Sequence, residues 1–173
     1  MENNFHSKLE LFFEKQLERT NYWLSFAEAK NAVLIAFNAA AIAFIVNFQK
    51  TFPVFSTTIM TLLLMPCIIC LLSFFPNLKS RPPKHQHDTK NDNLVFWGDI
   101  ANLKDEGRYI ELVIARYFPE HTLEGESSKL CYDLASEITI NSRIAMYKYR
   151  CFKIALKLNI LSFLLCILLF ILA

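Results

Sequence analysis

Two short clusters have a spacing that could do chemistry. Cys67-Ile68-Ile69-Cys70 has the spacing of a redox pair or of half a zinc site. Either use needs stabilised thiolates, and this run has no His or basic neighbour, so it reads as the packing face of an apolar helix. His85-Gln86-His87 offers two imidazoles, but it sits among Pro82, Pro83 and polar residues with no cysteine or carboxylate pair beside it. That composition is a solvated linker rather than a metal site. Cys131, Cys151 and Cys166 bring the cysteines to five, an odd and scattered set that is no disulfide framework. The chain also lacks a Gly-rich phosphate loop, a nucleophile with an adjacent base and a ligand set for a catalytic metal. No enzyme, metal or cofactor is expected from these residues.

The elements that carry the remaining candidates are helical. Gly occurs only three times in 173 residues, and the long runs without Gly or Pro favour an all-α protein. A net charge of +2 points to no nucleic acid and no acidic partner. Asn3, Asn4 and the Ser7/Glu10 pair offer starts for a first helix. Phe5, Leu9, Phe12, Gln16, Thr20, Trp23, Ala27, Asn31 and Leu34 then share one face. Residues 1–31 form a cytosolic amphipathic helix that continues into span one. No secretory signal is visible in them. Residues 32–75 form a transmembrane hairpin of two uncharged blocks, 32–48 and 52–75, joined by a turn at Gln49-Lys50-Thr51. Pro53 suits a first helical turn, and Pro66 removes a bond from the middle of span two. Asn38 within span one reads as interhelix glue, with a pore-lining role as the sharper alternative.

Residues 76–93 form a polar linker, and 94–157 hold cytosolic helices: a short one from Leu94, one from Arg108 to Phe118 after Gly107, and the start of a long last helix. Ser127 or Ser128 can cap that last helix, which would run about 70 Å to Ala173 at about 1.5 Å per residue. Its stripe is Leu130, Leu134, Ile138, Asn141, Ala145, Tyr149, Phe152 and Leu156, close to an eleven-residue rhythm. Residues 158–173 carry no charge and form a C-terminal span. That span is about 24 Å long against a hydrocarbon core of about 30 Å, so it should thin the bilayer or favour oligomers. Lys79, Arg81, Lys84 and Lys90 follow the second span, and Arg143, Lys148, Arg150, Lys153 and Lys157 precede the third. This asymmetry places the N-terminus in the cytoplasm, Lys50 at the outer face and the C-terminus outside. The fold class is thus an all-α membrane protein with three transmembrane helices, the first and last extended into a small cytosolic helical bundle. Set level at the membrane, the two long helices run parallel, with Gln16 opposite Asn141 and Trp23 opposite Tyr149.

Three segments carry a family resemblance: Ala29-Lys30-Asn31, Phe96-Trp97-Gly98-Asp99-Ile100, and Asp133-Leu134 with Ala145-Met146-Tyr147-Lys148-Tyr149. In this order, around two early spans and a final one, they resemble the transmembrane-type effectors of Pycsar, the bacterial cyclic-pyrimidine antiphage system. The resemblance implies a partner cyclase that makes cyclic CMP or cyclic UMP. It also implies an inner-membrane effector that answers this nucleotide by impairing the membrane. With the short last span, a homo-oligomer in the lipid bilayer is expected.

A cyclic nucleotide needs a cation or backbone N–H groups for its phosphate and an aromatic face for its base. Trp23, Lys30, Asn31, Trp97, Asp99, Lys148 and Tyr149 are the candidates near the cytoplasmic surface. Each has a plainer role: Lys30 and Lys148 as positive-inside charges, Trp23 and Tyr149 as bundle core, Trp97 as an interfacial anchor. The alternative to an effector is a non-catalytic membrane-anchored scaffold or subunit that binds a cytosolic protein partner.

Overall fold

Long stretches without Gly or Pro become long helices. The computed structural model describes residues 2–75, 90–121 and 129–172, with side chains over 5–75, 90–121 and 129–167. The order is α1 (Glu2–Val46), α2 (Pro53–Ser73), α3 (Trp97–Ile100), α4 (Glu106–Tyr117) and α5 (Lys129–Leu172), with no strand among the described residues. Two compact units divide the chain. One comprises Met1–Ser25 and Asn77–Met146, the other Phe26–Pro76 and Tyr147–Ala173. Both α1 and α5 contribute residues to each unit. His85, His87, most of the linker, the Ser127 and Ser128 caps and Ala173 lie outside the described residues.

The first unit has an ordinary water-soluble core. Leu9 and Phe13 of α1 pack with Ile100, Leu103, Tyr109, Val113 and Ile138, all essentially inaccessible. Phe13 meets Tyr109 edge-on at 5.6 Å. Several expected boundaries move. α1 already starts at Glu2, so Ser7 and Glu10 lie inside it rather than at its cap. α3 starts at Trp97, not Leu94. α4 starts at Glu106, because the Asp105 carboxylate accepts the Arg108 N–H at 2.8 Å and caps the helix ahead of Gly107. Tyr132 donates its phenol proton to Glu106 Oε1 at 2.9 Å. This hydrogen bond, with the charge of the same carboxylate, raises the phenol above its ordinary value. Glu106→Gln should bring it back down in an ultraviolet difference titration. An unchanged midpoint would show that the two groups do not meet.

The expected pairing of Gln16 with Asn141 does not form. Gln16 donates through Nε2 to the Val95 carbonyl at 2.9 Å, and Asn141 donates to Asn21 Oδ1 at 2.9 Å. The irregular segment before α3 supplies an acceptor to Gln16, and the amide partner sits about one and a half turns further along α1. Trp23 lies edge-on to Tyr22 at 5.6 Å in the first unit, whereas Tyr149 belongs to the second.

The α5 stripe also turns. Cys131, Ala135, Ile138, Ser142, Ala145, Lys148, Ala155, Asn159 and Ser162 are buried, while Leu130 and Leu156 are exposed. These positions step mostly by alternating fours and threes, nearer a heptad than an eleven-residue rhythm. The reason is side-chain size: small residues let long helices approach closely, and the larger neighbours are left outward.

The second unit inverts the usual polarity. Its buried positions include Leu34, Ile59 and Leu63, but most are small or polar: Ser56, Cys67, Cys70 and Ser73 on α2, Asn31 and Asn38 on α1, Ala155, Asn159 and Ser162 on α5. Outward it shows Val33, Phe37, Phe44, Val54, Met65, Leu71, Ile160 and Leu164. Water does not solvate such a surface, but lipid chains do. Among the described residues, Phe5–Val46 and Pro53–Ser73 are long and apolar enough to cross a membrane.

Candidate functional site

In the second unit, residues of α1 and α2 converge on the Lys148 side chain of α5. α1 carries an uncharged run after Lys30, so Glu28, Lys30 and Asn31 are its last polar residues before that run. α2 ends at Ser73, leaving its last carbonyls without intrahelical donors. α5 brings Lys148 on its buried face, only 6% exposed. The Lys148 ammonium lies 3.1 Å from Glu28 Oε1 and donates to the Ser73 carbonyl at 3.1 Å. The Phe74 ring lies 5.0 Å away. A cation at the carboxyl end of a helix is favoured by the helix dipole as well as by the hydrogen bond. Beside it Asn31 donates through Nδ2 to the carbonyls of Ala27 at 2.9 Å and Lys148 at 3.3 Å.

Lys30 has a different setting. Its ammonium lies 4.6 Å from the Phe26 ring, 5.3 Å from Tyr149 and 5.6 Å from Phe152. No carboxylate pairs with it among the described residues. Phe26, Val33, Leu34, Phe37 and Phe152 line an apolar groove of about 320 Å³ beside it. Cation and aromatic faces are therefore adjacent, the two features that a phosphate and a flat base would use.

Four of the seven candidates thus come together: Lys30, Asn31, Lys148 and Tyr149. Trp97, Asp99 and Trp23 belong to the first unit. There Asp99 accepts the Asn93 N–H at 2.9 Å, and Asn102 donates to the Gly98 carbonyl at 3.1 Å. A Cβ at Gly98 would run into the half-exposed Phe96 ring, which would have to turn aside. Trp97 packs its indole at 5.2 Å from Phe96.

The model for the Pycsar effector protein domain matches residues 12–173. The chain belongs to the Pycsar effector family. It is similar to the Pycsar effector protein RsPycTM of a Rhizobium species, with 31% identity over 147 residues, 80% of this chain and 81% of that one. No solved structure matches it. Family membership implies an effector of antiphage defence and a cyclic nucleotide signal from a cyclase. Two of the segments that carry the resemblance are the ones joined here: Ala29-Lys30-Asn31 touches Lys148 and Tyr149 of the α5 segment.

The third segment, around α3, is held through its main chain. Arg116 donates to the Asp92 carbonyl at 2.6 Å, Gln16 to Val95 at 2.9 Å and Tyr109 to Leu94 at 3.0 Å. Arg143 donates to Leu103 at 2.7 Å and Lys104 at 3.0 Å. An irregular chain needs such partners because its carbonyls have no helix ladder. Burial pulls the Arg143 guanidinium below its usual value, and the charges of Glu106 and Asp105 oppose that shift.

Glu28, Gln16, Tyr109 and Arg143 were not among the expected functional residues. Glu28 had one usable signal: it lies next to Ala27 on the buried face of α1, the last acid before the uncharged run. Among the described residues no three His, Cys, Asp or Glu side chains gather to hold a metal. Cys67 and Cys70 are buried free thiols in α2.

Proposed function

We propose that the chain is a non-catalytic, multi-pass effector of the bacterial inner membrane that receives a cyclic nucleotide on its cytosolic side and impairs membrane integrity in response. Its first unit is the cytosolic helical bundle. Its second unit, with Leu158 to Ala173 as a third span, lies in the bilayer. The observation that carries this reading is the inverted polarity of the second unit: large apolar side chains outward, and Asn31, Asn38, Ser56 and Asn159 inward. Lys30 is the first candidate for the phosphate, since it has no carboxylate partner among the described residues.

Cyclic CMP and cyclic UMP are the nucleotides to test, by resemblance to the family. Purified protein in liposomes that hold an ion gradient should dissipate it on addition of one of them and keep it otherwise. Dissipation that ignores both nucleotides, or none with either, would remove the nucleotide-gated reading. Topology follows from the Lys and Arg asymmetry. Glu2→Cys should be labelled only from the cytoplasmic side and Ala173→Cys only from the outside. Cytoplasmic labelling of position 173 would overturn the three-span arrangement.

A further inference from the structure

The inward face of the second unit holds polar groups that the protein leaves without partners. Asn38 is fully buried, and neither its Oδ1 nor its Nδ2 has a hydrogen-bond partner. The Cys67 thiol lies beside it, close enough to sense the amide, without a bond of ordinary geometry. The Ser56 hydroxyl and Asn159 Oδ1 are buried without partners too, as is Asn31 Oδ1. An amide left unpaired between lipid-facing helices is costly, and an Asn that served only as glue would bond across to the neighbouring helix.

These groups line up along the unit. Asn38 follows Asn31 by about two turns of α1. Phe37 meets Phe163 at 5.7 Å, so the neighbouring Asn38 is within about a turn of Asn159 on α5. One turn on, Ser162 donates to the Leu62 carbonyl of α2 at 3.3 Å. Ser56 lies further along α2, past the buried side chain of Ile59, toward the end that Pro53 begins. At the opposite end Asn31 bonds the Lys148 carbonyl.

We propose that Asn31, Asn38, Cys67, Asn159, Ser162 and Ser56 form a hydrated polar file through the apolar helices, and that this file is the route by which water and small monovalent ions cross when the effector acts. Water supplies the partners that the side chains do not give one another. Neutral amides and hydroxyls replace part of an ion's hydration without holding it, the balance that conduction requires. This rests on the proposed membrane role and names its path.

The test uses the full chain in phosphatidylglycerol and phosphatidylethanolamine vesicles, with cyclic CMP or cyclic UMP as the stimulus. Proton and potassium flux are read with entrapped dyes, and a methanethiosulfonate reagent added from the aqueous phase is read at Cys67 by peptide mass. The unmutated protein should conduct on stimulation and be modified at Cys67. Asn38→Leu and, separately, Asn159→Leu should cut flux and Cys67 modification by about tenfold or more, as dewetting of a narrow path does, with vesicle incorporation and nucleotide binding retained. Flux unchanged in both variants, or a Cys67 that stays protected while the protein conducts, overturns the file and leaves the membrane role standing. If the unmutated protein conducts with neither nucleotide, the file and the membrane role fall together.

Discussion

Glu28→Ala should destabilise the protein by about 3 kcal/mol, more than Lys148→Met, which should cost about 1 kcal/mol. The order follows from which partner can reach water. The Glu28 carboxylate is about half exposed, whereas the Lys148 side chain is only 8% exposed. Without Lys148, Glu28 turns to solvent, and the methionine fills the volume of the lysine stem. The Ser73 carbonyl then loses a donor. Without Glu28, a buried ammonium keeps one carbonyl and no counter-charge. The double variant should therefore cost less than Glu28→Ala alone, because it removes the orphaned charge. Unfolding in detergent, followed by circular dichroism, measures all three. Additive losses, or a larger loss in Lys148→Met, would show that the ion pair is not the unit that ties these helices together.

The long helices were legible because nothing in their sequence interrupts them, and the uncharged runs between Lys30 and Lys50 stand out by composition. The face of α5 was not. Within the second unit, reading by size and apolarity selects Tyr149 and Leu156, yet the buried positions are Lys148 and Ala155. Helices whose outer solvent is apolar gain little by turning large side chains inward, so close approach through small residues decides the face. Glu28 and Ser73 were hidden because they matter only where the end of α2 meets α1 and α5. Lys30 and Asn31 were legible because they border the uncharged run that begins at Ala32, and Lys148 and Tyr149 because they belong to the basic stretch that precedes the last one. Gln16 and Asn141 were read as partners on the assumption of regular helices alone. Val95, in the irregular stretch before α3, has no periodicity from which its free carbonyl could be inferred.

Arg143→Met should cost the first unit about 3 kcal/mol, roughly the sum of two charge-assisted hydrogen bonds. The guanidinium reaches the carbonyls of Leu103 and Lys104, both in the turn between α3 and α4. Leu103 is buried, so its carbonyl has little water to turn to. Arg143→Lys keeps the charge and a nitrogen able to donate to more than one carbonyl, as Arg143 Nη2 does here, and should lose less than the methionine variant. Native-state hydrogen exchange locates the effect. Amides from Leu94 to Leu103 should exchange faster in Arg143→Met, while those of α2, in the other unit, should not change. That segment holds Phe96-Trp97-Gly98-Asp99-Ile100, and its only regular structure is the four residues of α3, too short a helix to persist without the side chains that clasp its ends. Faster exchange spread over both units would mean that Arg143 supports the whole chain rather than this segment. No change between Leu94 and Leu103 would mean that Gln16, Tyr109 and Arg116 hold it without Arg143.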